Sequence, residues 1–150
     1  MLRVLSPAAG RSLAVSDVPD PVFARGLVGP GVAIDPRRGP QTSLAPIAGT
    51  LAKLHPHAYL VVDDDGHGVL VHLGIDTVHL QGGGFVLKAS EGDRVEAGDP
   101  IVGWDPVEVE RAGHSPVCAV VVLDCDPATV SRQAVDVEVE LGDLLFEADC

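Results

Sequence analysis

Aromatic residues are scarce in this chain: one Trp, one Tyr and three Phe among 150 residues. A core that cannot lean on aromatic rings must be filled by Val, Leu, Ile and Ala. Positive charge is also short, with 10 Lys and Arg against 22 Asp and Glu, a formal net charge of −12. Such an excess repels phosphate backbones and anionic headgroups, which makes nucleic acid and anionic membrane surfaces poor partners and favours a basic protein face. Long apolar runs are missing. The longest, Val117–Leu123, has seven residues, far below the ~20 that a spanning helix needs, so membrane insertion is not expected. Met1–Pro7 contains no apolar stretch of the signal-peptide kind. Cysteine is limited to Cys118, Cys125 and Cys150, an odd number without CxxC spacing. This reads as a reducing, cytoplasmic location with no disulfide framework, and Cys118 as a small core residue.

What is abundant is punctuation. Seventeen Gly and twelve Pro imply frequent turns, which suits an all-β fold better than a helical bundle. The length fits one domain over residues 1–150. Strands are expected at Leu2–Leu5, Leu13–Val15, Val32–Ile34, Tyr59–Val62, Val69–Leu73 and Val117–Leu123. Strict alternation adds Val135–Leu141, with an acidic wet face. Two helix starts are marked. Asp20-Pro21 offers a cap and a first helical Pro for one turn, Val22–Gly26. Asp105-Pro106-Val107-Glu108 reads as a capping box for a helix over Pro106–Ala112, stopped by Gly113. Arg37-Arg38 falls in an exposed turn. Two segments recur. Pro7-Ala8-Ala9-Gly10 returns as Pro46-Ile47-Ala48-Gly49, and Val95–Val102 returns as Val139–Phe146. The copies predict duplicated hairpins in a flattened sandwich or barrel.

The most informative stretch is residues 55–77. Asp65-Gly66 between two β-rich runs is a strong hairpin signal. If these two residues form the turn, Tyr59 faces His72 and His57 faces Gly74. His57 and His72 then share one face as diagonal neighbours, and His55 and Asp76 extend the same face. A slip of one residue would send the two histidines to opposite faces. A neutral imidazole is a good nucleophile toward phosphorus, and a second ring beside it can donate a hydrogen bond to phosphoryl oxygens.

Val71-His72-Leu73-Gly74-Ile75-Asp76-Thr77-Val78, then Gly82-Gly83-Gly84-Phe85, resembles the glucose-type enzyme IIA family of the bacterial phosphoenolpyruvate-dependent sugar phosphotransferase system. His57-Ala58-Tyr59 lies at that family's spacing, fifteen residues upstream of His72. Asp17–Ala24 and Gly98–Ile101 match the family in order. The resemblance implies the family's duplicated hybrid motif and a cytoplasmic phosphocarrier that needs no cofactor. It implies His72 as phosphoryl acceptor, His57 as supporting histidine, and Gly74, Asp76, Thr77 and Phe23 nearby, where the hairpin register also puts His55. It implies a phosphohistidine carrier of the HPr type as donor, a cysteine of a sugar-specific EIIB domain in an EIIB/EIIC permease as acceptor, and regulatory protein targets. His57 and His72 form a possible zinc site with a partner's acidic residue. The chain departs from the family in three ways. It begins almost at the first strand. It approaches the supporting histidine through Leu54-His55-Pro56-His57 without the usual Thr, and its docking patch is less aromatic.

Other readings are open at this level. His55, His57 and His72 could together serve a zinc hydrolase of the lysostaphin-like type. The same surface suits a non-catalytic regulatory binding module. Residues 92–101 are similar to biotinyl and lipoyl carrier hairpins, but Lys53 and Lys88 lack the carrier context.

Overall fold

The computed structural model describes all residues from Met1 to Cys150. Strands run β1 Leu2–Leu5, β2 Gly10–Ala14, β3 Gly31–Pro36, β4 Gln41–Leu44, β5 Gly49–His55, β6 Ala58–Val62 and β7 Gly68–Leu73. They continue as β8 Phe85–Leu87, β9 Arg94–Val95, β10 Pro100–Trp104, β11 Cys118–Val122, β12 Val130–Ser131, β13 Glu138–Val139 and β14 Leu144–Ala148. Two short helices, α1 Pro21–Ala24 and α2 Pro106–Arg111, start at the marked Asp-Pro pairs. Asp20 accepts the Val22 N–H at 2.8 Å, and Asp105 accepts that of Val107 at 2.9 Å. Glu108 does not close the box; it pairs with Arg111 instead.

One antiparallel sheet of eight strands, in the order β13-β2-β3-β11-β7-β6-β5-β9, forms the frame. Two three-stranded sheets, β1-β14-β12 and β4-β10-β8, complete it. The sheets stay open, so the fold is a sandwich and not a barrel. The main core draws on all three: Val4 and Phe146 from one small sheet, Ile101 and Trp104 from the other, and Val32, Leu51, Val61, Val71 and Val120 from the large one.

Strand β11 is buried throughout, and alternation divides its side chains between two clusters. Cys118, Val120 and Val122 face the main core, while Ala119 and Val121 face a smaller cluster with Val18, Phe23, Ala33 and Ile75. This second cluster lies under α1, on the outer face of the large sheet. Along β7, Val69, Val71 and Leu73 enter the main core. Leu70 and His72 therefore point to the outer face.

The duplication is visible in hydrogen bonds. Ser6 N–H donates to the Asp143 carbonyl at 2.7 Å, and the Gly142 N–H donates back to Ser6 at 2.9 Å. Ala45 makes the same two bonds with Asp99 and Gly98, at 2.8 and 2.9 Å. Gly10 pairs with Val139 as Gly49 pairs with Val95. A side chain at Gly10 or Gly49 would start 2.2 Å from a carbonyl oxygen of the neighbouring strand, so both copies need glycine there.

Two expectations change. Cys125 and Cys150 form a disulfide, tying the segment after β11 to the end of β14; the expectation of no disulfide fails because the pair is close only in the folded chain. Cys118 is the free, buried thiol, and burial pushes its pKa up to about 12. The alternating run Val135–Leu141 forms a strand only at Glu138–Val139. Asp136 takes a left-handed backbone (φ 59) and breaks the run. Arg37 and Arg38 are paired: Arg37 with Glu140 at 2.9 Å, Arg38 with Glu110 at 2.6 Å and Asp35 at 2.8 Å. No helix is long and apolar enough to cross a membrane.

Candidate functional site

The β6–β7 hairpin does not turn on Asp65-Gly66 alone. Its register pairs Ala58 with His72, Tyr59 with Val71 and Val62 with Gly68, one residue away from the expected pairing. The cause is Asp63. Its carboxylate accepts the N–H groups of Asp65 at 3.0 Å and His67 at 2.8 Å, so Asp64, Asp65 and Gly66 make a three-residue turn with Gly66 at φ 87. By alternation alone this register separates His57 from His72. Yet their ring centroids lie 5.3 Å apart, edge to face. The reason is Pro56-His57. These two residues are the turn between β5 and β6, because His55 pairs directly with Ala58. A turn residue is free of strand alternation, and His57 reaches over the strand end to His72.

His72 is part-buried between two small neighbours, Ala58 on β6 and Ala119 on β11. Larger side chains at either position would crowd the ring. Phe23, itself buried, meets the His72 ring edge-on at 5.4 Å. Nδ1 of His72 lies 2.6 Å from the Gly74 carbonyl oxygen. A carbonyl only accepts, so Nδ1 carries the proton and Nε2 keeps its lone pair free. Gly74 has φ 81, and a Cβ there would meet the Thr77 methyl at 2.5 Å. Thr77 is buried and its hydroxyl donates to the Leu73 carbonyl at 2.7 Å. It braces the loop and does not face the site. Asp76 is exposed, in a left-handed conformation at φ 59.

Burial lowers the pKa of His72, opposed by the Gly74 carbonyl and by the charges of Asp20 and Asp76. Burial, then the neighbouring His72 and His55, lowers that of His57 to about 4. Both rings are thus neutral at pH 7. His57 meets no hydrogen-bonding protein group; its neighbours are the rings of His72 and of His55, the latter stacked at 5.7 Å. Of the expected residues, His55, His57, His72, Gly74 and Phe23 come together. The one missed is Asp20, whose cap role was plain but whose charge on His72 depends on where α1 lands.

The only three potential metal ligands whose donor atoms all lie within 4.8 Å of one another are Asp63, Asp65 and His67, at the far end of the hairpin. His55, His57 and His72 do not form such a group.

A family model described as phosphoenolpyruvate-dependent sugar phosphotransferase system, EIIA 1, matches residues 2–127. The chain belongs to this EIIA family. A glucose-specific EIIA component of Halalkalibacterium halodurans is 36% identical over 142 residues, spanning 93% of this chain and 81% of that protein. A beta-glucoside-specific EIIBCA component of Bacillus subtilis is 37% identical over 128 residues, 84% of this chain but 21% of that protein. The solved structure of glucose permease IIA from Mycoplasma capricolum superposes with a TM-score of 0.89 at 31% identity, covering 97% of this chain and 94% of that one. This EIIA chain is accordingly a phosphoryl-relay component of the phosphotransferase system, built on the sandwich of that structure.

Proposed function

We propose that Nε2 of His72 accepts the phosphoryl group, from a phosphohistidine carrier of the HPr type, and passes it to the cysteine of a sugar-specific EIIB domain. The supporting observation is the hydrogen bond from Nδ1 to Gly74, which leaves Nε2 as the available lone pair. In the first step this lone pair attacks phosphorus, the N–P bond of the donor breaks, and the donor imidazole leaves. The His72 ring then carries phosphorus on Nε2 and a proton on Nδ1, so it is cationic. Asp20 and Asp76 favour that charge. A cationic ring is a good leaving group, which suits the second step, attack by a thiolate.

His57, neutral with one N–H, donates to the phosphoryl oxygens as charge grows on them. No resident metal enters either step. Two imidazoles leave zinc positions open, so a zinc ion at His57 and His72 would require a partner's carboxylate. Other regulatory partners would meet this same face, and the relay would work in the cytoplasm.

The test is incubation with phosphoenolpyruvate, enzyme I and HPr, followed by intact-mass analysis. Wild type should gain one phosphoryl group and His72→Ala none. Phosphorylated His72→Ala would move the acceptor elsewhere.

A further inference from the structure

Accepting that relay, the ring of His57 has to be held in one plane, and nothing hydrogen-bonds to it. We infer that His55 is a positioning residue: its imidazole, stacked on His57, sets the plane in which His57 meets the phosphoryl group on His72.

Three observations carry this. The His55 and His57 centroids lie 5.7 Å apart with only 24° between the ring planes, whereas His57 meets His72 at 69°. His57 is thus stacked on one ring and edge-on to another. Ring pairs at such separations are favoured as offset stacks.

The backbone makes the pair rigid. His55 precedes a proline, which restricts it to extended conformations, and the ring of Pro56 fixes its own φ. His55 is also the last residue of β5, paired across the turn with Ala58. Behind the turn, the glycine-rich segment abuts Pro56: a Cβ on Gly82 would sit 3.4 Å from Pro56 Cγ. The i and i+2 rings therefore emerge from a segment with little freedom to splay apart.

Finally, His55 has no competing structural duty. It is exposed and its ring forms no hydrogen bond, so its contact with His57 is its one specific interaction. Exposure also means that replacing it leaves the core untouched.

The experiment compares wild type, His55→Ala and His55→Phe in the full chain, with both half-reactions followed by rapid quench. Phe keeps a flat ring and loses the imidazole chemistry. Phosphoryl acceptance should stay within about twofold of wild type in both variants, because His72 is untouched. Onward transfer should slow in His55→Ala by about tenfold at most, the worth of one stacked ring pair. His55→Phe should restore it, and the His57 ring proton resonances should shift in the Ala variant and return in the Phe variant. Full-speed onward transfer in His55→Ala overturns the inference, as does a Phe variant as slow as Ala. Wild type that takes up no phosphoryl group would instead overturn the relay reading itself, and this inference with it.

Discussion

At the scale of single residues, the site is an arrangement of one ring held by a hydrogen bond and one held by ring contacts. His72 is fixed by Gly74 O, flanked by alanines and edged by Phe23. His57 lies at the tip of a turn, with ring contacts only. Their duties should separate accordingly. His57→Gln keeps an amide donor and leaves the nucleophile intact, so it should still accept a phosphoryl group. Onward transfer should fall by about 100-fold or more, the usual cost of a disturbed transition-state donor. Rapid-quench measurement of the two half-reactions decides it, and equal loss in both would reduce His57 to a shaping role. The same variant has a pH signature. Native His57 stays neutral down to about 4, while the unfolded imidazole takes a proton near 6.5. Protons then favour the unfolded state, so stability is full above 6.5 and falls as the pH drops toward 4. Denaturant titrations of His57→Gln should show a shallower fall across that window than wild type. The histidines and Gly74 were legible in the sequence because a long contiguous stretch surrounds His72, and Phe23 because Asp17–Ala24 matches the family in order. The charge of Asp20 was not, since nothing local says that α1 packs over β7.

Elements were read well wherever composition was extreme and poorly wherever a side chain overrode the backbone pattern. The β-branched run around Val120 became the doubly buried β11, and both Asp-Pro pairs became helix starts. The β6–β7 register was misread because Asp63, outside the Asp-Gly signal, recruits two N–H groups and lengthens the turn. The histidines nonetheless meet, for a different reason: Pro56-His57 is itself a turn. Asp63 is therefore the residue that sets how β6 and β7 align. Partial burial raises its pKa, but the His67 N–H and ring outweigh this and hold the carboxyl below its usual value. Asp63→Ala should cost about 1–3 kcal/mol, the net worth of the two lost hydrogen bonds at about 0.5–1.5 kcal/mol each, measured by urea denaturation. His67, raised by its bond to Asp63, gives the opposite pH sign to His57. The contribution of this pair is present below 6.5 and lost as the pH rises through the elevated native value. Unchanged stability in Asp63→Ala would mean that the strand pairs set the register unaided.

For the molecule as a whole, the duplicated hairpins supply a frame whose two copies have diverged at their connections. Between β5 and β6 the link is the two-residue turn that carries His57. Between β2 and β3 it is Val15–Pro30, which contains α1 and Phe23. The repeats were visible in the sequence; that the site forms where they differ was not. The disulfide was illegible for the same reason, since 25 residues separate its cysteines and only the return of β14 brings them together. Closing such a loop stabilises a fold by about 3 kcal/mol in the chain-entropy account. Reduction should lower denaturation midpoints accordingly, and Cys125→Ser should match reduced wild type and ignore reductant. A midpoint that reductant leaves unmoved would show that the strand pairs alone hold the C-terminal segment.

If Nε2 of His72 carries the phosphoryl group, both transfers use the same entrance, because Gly74 occupies the other ring nitrogen. The two partner proteins must then queue: neither can be seated while the other is, and no ternary complex lies on the route. Relay through this chain should follow substituted-enzyme kinetics, with parallel double-reciprocal lines. Spent donor that lingers on the face would obstruct the acceptor, so its accumulation should raise the apparent KM for the EIIB domain and leave the maximal rate alone. Throughput is then governed by how quickly each visitor departs, and a tighter docking surface would make a slower relay.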